Sequence, residues 1–153
     1  HRLGRCREAM DLNDAALAAH PGHALLWLSR GELLMKTRAA VAENCFVRAR
    51  QEDGAGPEIG LRVGAICLRY GRPAWALAAL QAVVARDDRG AQVWHLLGCA
   101  QSDLGMTAAA AHSFRRAVDL APHLAAYRQA LEEALRPSLA HRLTALWRRL
   151  TPR

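Results

Sequence analysis

Between Ala91 and Leu124, Trp94, Leu97, Gly98, Gly105, Ala110, Phe114, Ala117 and Pro122 stand at the spacings that two helices joined by a tight turn require. Val93, Leu96, Leu97 and Ala100 fall at helical intervals over 92–104, and Ala110, Ala111, Phe114, Ala117 and Val118 do so over 108–120. Gly105 lies between the two stretches, where a tight turn needs a residue tolerant of left-handed geometry. Small Gly98 and Ala110 would let the two antiparallel helices approach closely. Pro122 closes the second helix, because the residue before a proline is pushed out of helical geometry.

The arrangement repeats. Shifted back by 34 residues, from 91 to 57, Gly64 matches Gly98, Gly71 matches Gly105, Ala76 matches Ala110 and Leu80 matches Phe114. Gly60 stands in the place of Trp94 and Asp88 in that of Pro122, so this unit is looser. Arg72-Pro73 fits a helix start, with proline in the first turn where its missing N–H costs nothing. A further unit over 23–56 carries Trp27, Gly31 and Leu34 on its first helix and Ala42, Phe46 and Ala49 on its second. Its Gly31-to-Ala42 interval is one residue shorter, and Thr37-Arg38 occupy the turn without a glycine, which predicts a tighter or irregular turn. Gly4, Ala9, Ala16 and Pro21 then mimic the second half of a repeat whose first half is missing, and a longer protein continuing upstream is expected.

Trp94-x-x-Leu97-Gly98, with Ala110, Phe114 and Pro122, resembles the tetratricopeptide-repeat pattern of Trp, Leu-Gly, Tyr, Ala, Phe and Pro; Gln101 replaces the Tyr. The resemblance covers about residues 2–135 and implies an all-α, TPR-like α-solenoid of antiparallel helix pairs in a right-handed superhelix with C-terminal capping helices. The expected units are 1–22 (second helix of a truncated repeat), 23–56, 57–90 and 91–124 (repeats), 125–136 (capping helix) and 137–153 (basic amphipathic helix). The 125–136 helix should pack through Tyr127, Ala130, Leu131, Ala134 and Leu135. The last should carry Leu139, Leu143, Leu146, Trp147 and Leu150 opposite His141, Arg142, Arg148 and Arg149.

Composition agrees with helices. Apolar residues make up 52% of the 153, Ala and Leu dominate, and 11 glycines and 6 prolines are too few for disorder or a collagen-like fibre. The net charge of +7 is carried almost wholly by arginine, with Lys36 the one lysine, a bias that fits a GC-rich bacterial genome. The arginines are scattered and few aromatics accompany them, which argues against nucleic-acid recognition. Cys6, Cys45, Cys67 and Cys99 fall on apolar helical positions without metal or redox spacing, so reduced thiols in a cytoplasmic setting are expected. No run of about 18 apolar residues could span a membrane.

Chemistry finds no foothold. The adjacent carboxylates Asp87-Asp88 and Glu132-Glu133 diverge on a helix, and Ser29, Ser102, Ser113 and Ser138 lack a glycine elbow. Gly54, Gly56 and Gly60 do not form a phosphate loop, and the seven histidines form no His-x3-His pair with an acidic partner. Neither an enzyme nor a cofactor or metal is expected. The resemblance implies a scaffold or adaptor that binds a protein or peptide partner along a concave face. The positions expected there are Leu25, Leu28, Glu32 and Met35; Glu58, Leu61, Ala65 and Leu68; and Gln92, His95, Cys99 and Ser102. The bland alternative is that some of these leucines belong to the core. The faces lack the Lys/Asn/Arg set with which some family members clamp a C-terminal carboxylate. A second reading makes the array the accessory region of a larger bacterial enzyme, for example a transferase whose repeats position a protein substrate. The basic tail would suit a cap, an anionic membrane surface or an acidic partner.

Overall fold

The structure, a computed structural model, describes residues 2–52 and 56–136. Among them are eight helices and no strand: α1 (Arg2–Ala19), α2 (Ala24–Leu34), α3 (Ala39–Gln51), α4 (Pro57–Arg69), α5 (Pro73–Val84), α6 (Ala91–Asp103), α7 (Thr107–Leu120) and α8 (Ala125–Leu135). The expected basic helix over 137–153 lies outside the described residues. Three intimate pairs, α2 with α3, α4 with α5 and α6 with α7, form the body, and α1 and α8 pack on its two ends. Successive first helices also touch, α2 with α4 and α4 with α6.

Each pair closes by the same device. A Cβ on Gly98 would lie 2.6 Å from the Phe114 ring, and one on Gly64 2.6 Å from Leu80; Gly31 faces Phe46 in the same way. The bare glycine backbone admits the large side chain of the second helix, so Phe46, Leu80 and Phe114 are all buried. Ala42, Ala76 and Ala110, all fully buried, let the helix backbones close on the other side of the contact.

The turns follow the sequence closely. Gly71 and Gly105 have φ of 65° and 74°. The N–H of Gly105 bonds Ser102 O and that of Met106 bonds Gln101 O, and Gly71 and Arg72 make the same pair to Leu68 and Cys67. These are Schellman closures, in which a left-handed residue turns the chain back onto the helix's last free carbonyls. The α2–α3 connection is different. It has no positive φ, and Thr37 and Arg38 both donate to Leu34 O. α2 ends at Leu34, three residues past Gly31, two sooner than α6, which ends at Asp103, five past Gly98; the connection to α3 is one residue longer than that to α7, which leaves the interval one residue shorter.

The joints between repeats use tryptophan. Trp27 Nε1 donates to Pro21 O at 2.7 Å, and Trp94 Nε1 donates to Asp88 O at 2.6 Å, each reaching back into the loop before its helix. Arg48 and Arg116 lie over these rings, 5.2 and 5.6 Å from the centroids. An apolar helical position alone would place the two indoles in the core with Phe46 and Phe114. They are half-buried instead, because their polar edge must reach a loop carbonyl. Gln101, standing where the family pattern has Tyr, is buried and accepts a 2.7 Å bond from Ser113 Oγ, so the polar pair is satisfied inside the α6–α7 contact.

At the ends the packing thins. Asn13 of α1 donates to Leu26 O, and Asp14 pairs with Arg30. On α8, Tyr127, Ala130, Leu131 and Ala134 are half-buried against the body, but Leu135, expected on the same face, is exposed. It sits in the final turn, past the end of the surface that α7 offers.

Candidate functional site

The first helices of the pairs carry the residues expected on the inner face, and their packing decides which remain open. Leu28 and Met35 are 6% and 5% exposed, so both belong to the core. Leu61 and Leu68 are half-buried and pack against the same cluster. Neighbouring first helices touch, and the side chains at these positions fill the space between them. The bland reading of the leucines therefore holds for Leu28 and Met35, and the apolar strip is mainly a seam between helices.

What stays open is lined by five of the expected positions, Leu25, Leu28, Glu32, Glu58 and Ala65, together with Arg62 and Arg69, one residue round α4 from Leu61 and Leu68. Between α2 and α4 a cleft of about 260 Å³ is lined by Leu28, Glu32, Arg62, Ala65, Ile66 and Arg69. It meets, at Arg62, a second cleft of about 500 Å³ at the helix starts, lined by Gly22, His23, Ala24, Leu25, Gly56, Glu58, Ile59 and Arg62. Leu25 offers the most exposed apolar side chain here, 42% exposed. Arg69 Nη1 bridges to Glu32 Oε1 at 2.8 Å across the two helices, and Arg62 Nη2 pairs with Glu58 Oε1 at 2.8 Å along α4. The cleft thus has an apolar floor and charged but internally paired walls.

Arg62 and Arg69 were missed in the sequence because helix phase alone favoured their apolar neighbours Leu61 and Leu68. The signal available was Glu58–Arg62, a pair four residues apart that marks one exposed stripe of α4. On α6 the four expected positions part company. Gln92 and Ser102 are exposed, while His95 and Cys99 are half-buried. His95 stacks on Tyr127 of α8 at 4.6 Å between centroids and tilts against Phe114. Burial holds its imidazole below the ordinary range, and its Nδ1 is buried without a partner among the described residues. On α6, Tyr127 of α8 thus covers the middle of the face at His95, and the ends at Gln92 and Ser102 stay open.

The thiols sit quietly. Burial pushes Cys67 up to about 11 and raises Cys45 and Cys99 as well, which disfavours the thiolate that nucleophilic or redox chemistry needs. Among the described residues no three His, Cys, Asp or Glu side chains gather as a metal site, and no helix is long and apolar enough to cross a membrane.

Residues 91–124 match the tetratricopeptide repeat family. No curated protein matches the chain in sequence. Among solved structures, MamA 41-end from Desulfovibrio magneticus RS-1 is similar, with a TM-score of 0.69 at 23% identity over 94% of this chain and 82% of that one. The first TPR of Spaghetti (RPAP3) bound to the HSP90 peptide SRMEEVD superposes with a TM-score of 0.60 at 19% identity, over 72% of this chain and 89% of that one. The second TPR domain of human RPAP3 in complex with the HSP70 peptide SGPTIEEVD gives 0.60 at 20% identity, over 72% and 93%. The α6–α7 unit with its following loop is the matched repeat, and the described helices have the all-α fold of a tetratricopeptide-repeat solenoid.

Proposed function

We propose that this chain is a non-catalytic interaction scaffold that docks an extended segment of a partner protein in the cleft between α2 and α4. The observation that carries the reading is the cleft itself. Leu25 and Ala65 supply apolar contact, and the Arg62–Glu58 and Arg69–Glu32 pairs supply both donors and acceptors for a peptide backbone or polar side chains. The peptide-bound RPAP3 domains support it, since the same fold there holds a short peptide. Because both arginines already have carboxylate partners, the cleft favours a segment of mixed character over a strongly acidic one.

The test is a displayed library of random linear peptides panned against the chain and against the Arg62→Glu/Ala65→Arg variant. Arg62 is exposed and Ala65 half-exposed, so the variant should keep its helix content by circular dichroism. Selected peptides should bind the wild-type chain at micromolar strength and lose about tenfold or more, roughly 1.4 kcal/mol, on the folded variant. Peptides that bind both proteins equally would place the binding surface elsewhere.

A further inference from the structure

The central repeat lacks two side chains that its neighbours share. Trp27 and Trp94 seal the joints before their repeats, each with an arginine over the ring. At the matching places α4 carries Gly60 and α5 carries Ala82. Val83, where the other repeats have Ala49 and Ala117, turns a γ-methyl toward Gly60 and takes up part of the vacated space. The rest is a partly open cavity of about 80 Å³, lined by Gly60, Ala79, Ala82 and Val83 and by two arginines, Arg50 and Arg86. Among the described residues no carboxylate lines it. The Arg50 Nε is buried and has no acceptor among the described residues.

We propose that this cavity docks one aromatic side chain of an acidic partner segment. The flanking repeats supply the template, because in both of them an indole occupies this place beneath a guanidinium group. The cavity keeps the apolar floor, lacks both the ring and the arginine at the matching place, and has Arg50 and Arg86 on its walls instead. A partner's ring entering edge-first restores the contact, and Arg50 and Arg86 give it cationic neighbours. A carboxylate beside that ring provides the acceptor that the Arg50 Nε lacks and balances two arginines that have no ion pair among the described residues. The α2–α4 cleft, by contrast, has its arginines already paired, and the two sites share only Gly56 among their lining residues. This second site therefore stands or falls independently of the first.

The test is fluorescence anisotropy with a labelled Asp-Glu-Trp-Asp-Glu peptide and its counterpart bearing Ala in place of Trp. The Trp peptide should bind the intact chain about tenfold or more tightly than the Ala peptide, as expected for an anchoring aromatic. Ala82→Glu places a like charge at an exposed mouth position that folding does not depend on, and should weaken the Trp peptide by a similar factor. Arg50→Gln should weaken it as well. Gly60→Trp/Val83→Ala rebuilds the flanking pattern, fills the cavity and should abolish binding. Equal binding of the two peptides, or full binding to a folded Ala82→Glu variant, overturns the proposal. So does loss of binding in Arg62→Glu/Ala65→Arg with Ala82→Glu unaffected, which would assign the peptide to the cleft.

Discussion

The α6–α7 repeat and the α4–α5 repeat have the same backbone plan and fill it differently. Both pair a bare glycine with a large side chain, Gly98 with Phe114 and Gly64 with Leu80, and both close on a left-handed glycine. In α6–α7 the remaining positions are specific. Trp94 locks the joint, Arg116 covers it, Ser113 and Gln101 form a buried polar pair, and His95 stacks on the next helix. In α4–α5 the same places hold Gly60, Ala82, Ala79 with Cys67, and Leu61. The solenoid therefore needs the glycine–large-residue contact and the turn, while the other contacts can be exchanged for apolar packing or for empty space. Where they are exchanged, a cavity appears.

The comparison can be broken most decisively at its shared feature. Phe114→Ala should cost about 3–5 kcal/mol in urea denaturation and Leu80→Ala about 2–3 kcal/mol, because each leaves its glycine facing a void. Wild-type unfolding of either variant would show that the contact does not hold the pair. The polar pair separates the two repeats next. Ser113→Ala strands the Gln101 carbonyl inside the contact and should cost about 1–3 kcal/mol, whereas a Ser113→Ala/Gln101→Leu double change should recover most of it. If the double variant is no better than the single, the bond is not what Ser113 contributes.

Smaller effects sharpen the contrast. Gly105→Ala forces an L side chain to φ near 74° and should cost about 1–2 kcal/mol, a loss that Lys36→Ala in the glycine-free α2–α3 turn should not show. Arg116→Ala should cost about 0.5–1 kcal/mol by removing the cation from the Trp94 ring, with the indole emission shifting as the ring gains water. The weakest contrast is in pH. His95 is held neutral by burial in the folded state, so its pKa is lower there than the ordinary 6.5. The unfolded chain takes up the proton first, so stability falls as pH drops through that value and keeps falling until the folded imidazole is protonated too. Urea midpoints at about pH 7.5 and 5.5 should differ more for the wild-type chain than for His95→Leu, which installs the residue of the central repeat. An unchanged difference would assign the dependence to other groups.

Much of this was legible before any coordinates. The spacing of Gly98, Gly105, Phe114 and Pro122 located two helices, their turn and their close contact, and the shorter Gly31–Ala42 interval announced an irregular turn. The candidate site was read less well. Leu28, Met35 and Leu135 share an apolar pattern that does not distinguish a side chain packed on the next helix from one left at its edge. Arg62 and Arg69 passed unnoticed because a charged residue beside a leucine looks like an ordinary solvated position.

By itself the sequence determined what depends on neighbours along the chain: helical periodicity, glycine turns and the 34-residue interval that makes each pair repeat, from 57 to 91. Those are local constraints of backbone sterics and helix geometry, and they hold whatever lies next to the helix. The tertiary structure alone decided how far each first helix is covered by the next, which arginines find carboxylates across the α2–α4 cleft, and that Val83 only partly fills the space at Gly60. Those depend on distances between side chains of different helices, which fractions of a residue in helix phase and fractions of an ångström in packing can reverse.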